Sequence, residues 1–132
     1  MTETTKAKLY EEFWKSFGLR AFEENSVPTG KNKPPFPYIT YQYSTSGFDT
    51  TVMLTASLWY RSTSWEPVLM MADDVAGVIT DSGVNKVSED GSQAIWVKRG
   101  TPFMSRMPDE ADDNMIKRML INVEVEFLSI EQ

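Results

Sequence analysis

Hydrophobic and polar positions alternate with two different periods along this chain, and each change of period marks an element. Tyr10, Phe13, Trp14 and Phe17 recur at i, i+3, i+4 and i+7, the apolar stripe of a helix over Lys6–Gly18. Glu11 and Glu12 fall on its wet side, and Gly18 is a natural stop. From Phe36 to Ser44 the period drops to two. Ile39, Tyr41 and Tyr43 face one way, and Tyr38, Thr40 and Gln42 the other. The alternation resumes over Thr50–Arg61, with Leu54, Ala56 and Leu58 opposing Met53, Thr55, Ser57 and Trp59. Two adjacent alternating runs with a polar link predict an antiparallel hairpin.

The helical period returns over Thr63–Thr80, where Trp65, Val68, Leu69, Ala72, Val75, Ala76 and Ile79 form a wide stripe. Thr63 and Glu66 have capping-box spacing, which makes Thr63 the expected cap. Gly77 within this helix points to close packing against the sheet. Ala94–Arg99 reads as a short strand and Arg118–Ile130 as the longest one, with an acidic polar face at Glu124 and Glu126. Val84–Val87 is a short strand or a loop. Phe22–Pro35 carries turn signals and prolines and reads as a connector. Gly100–Lys117 reads as a long loop, a kind that is commonly functional. The resulting expectation is an α+β fold: a mostly antiparallel, possibly mixed, four-stranded sheet with two helices on one face, in the order α-β-β-α-β-β.

Length and composition narrow this to one domain over residues 1–132, with 41% hydrophobic residues to fill a core. The net charge of -6 opposes a nucleic-acid grip, which needs a basic stripe. There is no Cys and no His, so thiolate chemistry is excluded, along with the commonest general base and metal ligand. No Gly-rich phosphate loop occurs. The expectation is a non-enzyme with no cofactor and no metal, and with no apolar run that would span a membrane. Asp109, Glu110, Asp112 and Asp113 lack the spacing of a calcium loop and read as a solvated acidic segment. Asp73 and Asp74 read as a wet helix face.

Aromatic placement changes the picture more than charge does. Trp59 and Trp96 fall on the face opposite the apolar alternation of their own strands, and large aromatics on a polar sheet face point to a partner. Phe103, Met104, Arg106 and Met107 have the adaptable, sticky character of contact residues. These six form the candidate assembly surface.

The order of these words also resembles a known family. Phe22-Glu23-Glu24-Asn25-Ser26-Val27-Pro28 followed by Phe36-Pro37-Tyr38-Ile39-Thr40-Tyr41 is similar to a passage in the tail-terminator (tail-completion, head-tail joining) proteins of long-tailed bacteriophages. So are Leu58-Trp59-Tyr60-Arg61 with Ser64-Trp65, and the close Arg118-Met119-Leu120-Ile121-Asn122-Val123-Glu124-Val125-Glu126-Phe127-Leu128. The Pro-rich stretch from Thr29 to Pro35 departs from the family pattern. The resemblance implies a structural virion protein, assembled in the bacterial host cytoplasm into a homo-oligomeric ring, a hexamer, at the head-proximal end of the tail. Such a ring caps the tail tube, ends its polymerisation and docks the head connector. Genomic DNA passes through the lumen without specific binding, and the acids of residues 109–113 suit an acidic lumen. Two other readings stay open: a head-completion or connector protein of the same particle, and a small-molecule-binding α+β domain.

Overall fold

The protein's structure is a computed structural model that describes residues 5–44, 51–107 and 114–129. Its elements are α1 (Thr5–Lys15), β1 (Arg20–Glu23), β2 (Tyr38–Tyr41), β3 (Thr51–Arg61), α2 (Glu66–Val78), β4 (Val84–Val87), β5 (Gln93–Met107) and β6 (Ile116–Ser129). A single 3-10 turn at Gly30–Asn32 interrupts the β1–β2 passage. The four-stranded expectation is overturned. Six strands form one mixed sheet in the order β1-β2-β3-β6-β5-β4, which curls into a half-barrel with two helices.

The two strands beyond the expected four are β1 and β4, the latter the Val84–Val87 segment that reads as either strand or loop, and β5 is longer than expected. Phe22–Pro35 is not wholly a connector, because Arg20–Glu23 pairs in parallel with Tyr38–Tyr41. Four residues are too few to show a period, and the hydrogen-bonding partner lies 18 residues on, at Arg20↔Tyr38. The Gly100–Lys117 loop is likewise displaced by strand, since β5 runs on to Met107 and β6 begins at Ile116. Gly100 and Pro102 look like breakers but belong to a bulge. Arg99 pairs with Val123 and Met104 with Ile121, so five steps on β5 (99 to 104) match two on β6 (121 to 123). Asn122 holds the bulge by donating from Nδ2 to the Pro102 carbonyl at 2.8 Å. Gly100 is required there: a Cβ would lie 2.9 Å from the Asn122 backbone.

Both helices bury side chains in one core. Leu9, Tyr10, Phe13 and Trp14 of α1 and Val68, Ala72 and Val75 of α2 join Ile39, Leu54, Leu58, Ile95, Val97, Ile121, Val123 and Val125 of the sheet. The two helices take different stations. α2 packs on β3 and β6 at the centre of the strand order, whereas α1 touches β1 at one end and β5 and β4 at the other. A flat six-stranded sheet is about 24 Å across at about 4.8 Å per strand. A helix is only about 10–12 Å wide with its side chains. The sheet therefore curls so that one helix reaches both of its ends.

The helix ends are set locally. α1 closes with the Ser16 hydroxyl donating to the Phe13 carbonyl at 2.6 Å and Gly18 in the left-handed region at φ 88°. α2 starts at Glu66, and Ser64 rather than Thr63 supplies the side-chain oxygen, accepting the Glu66 N–H at 3.0 Å. Gly77 does not pack against the sheet. It is exposed, and a Cβ there meets nothing within 4 Å.

Candidate assembly surface

Strand register decides which of the outward side chains become neighbours. On the face away from the core, one row crosses five strands: Met107, Arg118, Trp59, Tyr38 and Arg20. Trp59 stacks on Tyr38 with ring centroids 6.3 Å apart and planes 19° from parallel, and Phe36 extends the row at 5.3 Å from Tyr38. The Arg118 guanidinium lies 4.7 Å from the Trp59 ring centroid on the other side. Two hydrogen bonds pin the row to the sheet. Trp59 Nε1 donates to Thr40 Oγ1 at 2.8 Å, and Arg118 Nε donates to Ser57 Oγ at 3.0 Å. These side chains roof Ser57, which is only 3% exposed, and leave Trp59 itself half-buried. Burial under the neighbouring rings raises the Tyr38 phenol above its ordinary pKa.

Trp96 shares the face but not the neighbourhood. Trp59 pairs with Arg118 and Trp96 with Glu126. The eight residue steps from Arg118 to Glu126 on β6 span about 27 Å at about 3.4 Å each. Trp96 Nε1 donates to the Ser82 carbonyl at 3.1 Å, and Lys98 Nζ lies 4.8 Å from its ring. Its indole lies against Gly83, where a Cβ would be 2.3 Å from Nε1. Trp96 thus clamps the turn between α2 and β4.

Phe103, Met104 and Arg106 are strand residues, not loop residues, and they turn toward α2. Phe103 and Met104 pack against the core cluster. The Arg99 guanidinium is 4.8 Å from the Phe103 ring and donates to the Ile79 and Ala76 carbonyls at 2.6 and 2.9 Å. It therefore caps the carbonyl end of α2, where positive charge is favoured. Arg106 and Lys117 lie 5.2 and 5.8 Å from the Trp65 ring. Of the six residues expected to form one surface, only Trp59 and Met107 are brought together, on either side of Arg118.

Asp109, Glu110, Asp112 and Asp113 lie outside the described residues. Among the described residues, no group of three potential ligands is placed to hold a metal ion. Asp73 and Asp74 are exposed on α2. Burial, aided by the Asp74 charge, raises the Tyr60 phenol. No described helix is long and apolar enough to cross a membrane. Sequence reading missed Arg118, Tyr38 and Thr40 as partners of Trp59, because only the register makes them adjacent. Comparison with protein families, curated proteins and solved structures gives no match to this chain.

Proposed function

We propose that this chain is a structural assembly protein that caps a phage tail tube as a homo-oligomeric ring, ends tail polymerisation and offers the docking surface for the head. The carrying observation is the outer sheet face, where half-buried Trp59, backed by the buried Tyr38 ring, stands beside the Arg118 guanidinium with Met107 next in the row. Aromatic and arginine side chains of this kind are the residues that anchor protein interfaces. The ordered resemblance of the Phe36–Tyr41, Leu58–Arg61 and Arg118–Leu128 words to tail terminators supports the particular reading. The lack of any His or Cys suits assembly better than catalysis. In this reading the ring has six copies, meets the tube on one side and the connector on the other, and lets DNA through without gripping it.

Native mass spectrometry of the concentrated protein, alone and with purified tail tubes, tests ring formation. A chain that stays monomeric under both conditions and leaves tubes uncapped overturns the reading. Electron microscopy of particles made without the protein tests its place. Overlong tails are expected, whereas full heads beside normal tails would assign the chain to the connector side.

A further inference from the structure

The sheet order ends at β4, which pairs with β5 alone. The Ser88 N–H donates to the Gln93 carbonyl at 2.8 Å, one step beyond the Val87↔Ala94 pair. Bonded and non-bonded pairs alternate along an antiparallel ladder. Val84 and Lys86 therefore turn their backbone groups toward β5, and Asn85 and Val87 turn theirs away from it. Both outward residues are exposed, Val87 to 53% although it is apolar. Among the described residues, no hydrogen bond from outside the ladder reaches either backbone. The other end of the order differs. Ala21 of β1 is 3% exposed and the Glu23 carbonyl already accepts the Ser26 N–H, so the open edge is at β4.

Lys86, between the two outward residues, decides what this edge accepts. It has no ion-pair partner among the described residues. Two copies joined antiparallel here could use both outward residues of each strand only with Asn85 opposite Val87 of the copy. That register sets Lys86 directly opposite Lys86 of the copy, and like charges so placed are destabilising. Sliding by two residues enlists either Gly83, whose N–H is bonded to the Thr80 carbonyl, or Glu89, inside the turn closed by the Gly91 N–H on the Ser88 carbonyl. We propose that the β4 edge instead receives one extended segment of a partner protein, with a carboxylate opposite Lys86. Added strands bind through main-chain hydrogen bonds and select through alternate side chains. Asn85 and Val87 each offer one donor and one acceptor. The position opposite Lys86 belongs to a non-bonded pair, where facing side chains come closest. A glutamate there makes the charge-assisted contact that a lysine cannot. Val87 offers an apolar neighbour on the other face. This inference goes beyond ring assembly and does not depend on it.

The test is an amide-resolved NMR titration of the whole chain. The probe is a capped pentapeptide, threonine-valine-glutamate-valine-threonine. Shifts are expected over Val84–Ser88, together with slowed hydrogen exchange at the Asn85 and Val87 N–H groups. The same peptide with central lysine should bind about tenfold more weakly, the scale of one charge-assisted contact. N-methylation of both valine amides should abolish binding. Lys86→Glu should keep the dispersed spectrum and reverse the preference toward the lysine peptide. Unchanged spectra at millimolar peptide, equal binding of the lysine or the N-methylated peptide, or shifts confined to another surface would overturn the proposal. So would concentration-dependent shifts of the same amides without peptide, since a second copy would then be the occupant.

Discussion

Trp59 and Trp96 occupy the same face of one sheet, in the same kind of strand position, yet they do different work. Trp59 sits mid-row, with Tyr38 stacked on one side, Arg118 on the other and its N–H given to Thr40 on the neighbouring strand. Its contacts join β2, β3 and β6. Trp96 lies near the far edge and spends its N–H on Ser82 and its ring on Gly83 and Lys98. Its contacts secure one turn. Equal alternation in sequence therefore does not mean equal role. The neighbours that register supplies turn one indole into part of a broad surface and the other into a local clamp. A third indole completes the contrast. Among the described residues, Trp14 Nε1 and the Tyr10 hydroxyl are buried without hydrogen-bond partners, and burial raises the Tyr10 phenol far above its ordinary pKa.

The comparison can be broken most forcefully at the clamp. Gly83→Ala places a Cβ on the Trp96 indole at a residue with φ 82°. Strain and clash together should cost about 3 kcal/mol. Urea denaturation should report the loss, and Trp96 emission should shift toward that of a solvated indole. Trp59→Ala tests the other end. Association into rings should weaken by about 2 kcal/mol or more, roughly 30-fold, as for an interface anchor. Trp96→Ala should lower the melting temperature and leave association nearly unchanged. If both variants associate equally well, the row is not the assembly surface.

Smaller changes sharpen the contrast. Thr40→Val leaves the Trp59 N–H without its acceptor and should cost about 1 kcal/mol in folding. Tyr10→Phe should do the opposite. It removes an unpartnered buried hydroxyl, so the urea midpoint should rise by an amount worth about 1 kcal/mol with an unchanged slope. The smallest effect belongs to the β4–β5 turn. The Asp90 carboxylate accepts from the Ser92 hydroxyl at 2.7 Å, the Ser92 N–H at 2.9 Å and the Ser88 hydroxyl at 2.7 Å. These bonds to Ser92 and Ser88 lower its pKa to about 2 from 3.8. A lowered folded-state pKa means that its stabilising contribution is complete above the ordinary value and is lost as pH falls from about 4 toward 2. The Asp90 carboxyl carbon should titrate near the lower limit by NMR, and Ser92→Ala should move that titration upward.

The candidate site was only partly legible before the structure. The outward placement of Trp59 follows from strict alternation against Leu58, and adjacent residues of an extended strand must face opposite ways. The company Trp59 keeps was not legible. Tyr38 lies 21 positions earlier and Arg118 far later (118 - 59 = 59 positions), and no local pattern joins them. Phe103 and Met104 were misplaced for a related reason. Gly100 and Pro102 signal a break in any isolated segment, but a bulge pinned by Asn122 lets β5 continue past them.

By itself, the sequence determined the helical stripes of α1 and α2, the two-sided character of β2, β3 and β6, and the absence of His and Cys chemistry. These properties are carried by neighbours along the chain, through periods of about 3.6 and 2 residues. Tertiary structure alone decided that there are six strands rather than four, that β1 runs parallel to β2, that β5 spans its bulge, and that the two outer tryptophans stand at opposite ends of one face. Backbone hydrogen bonds between strands are the same for nearly every residue type. Pairing and register are therefore settled by burial across the whole curled sheet, and the surface that results belongs to the fold.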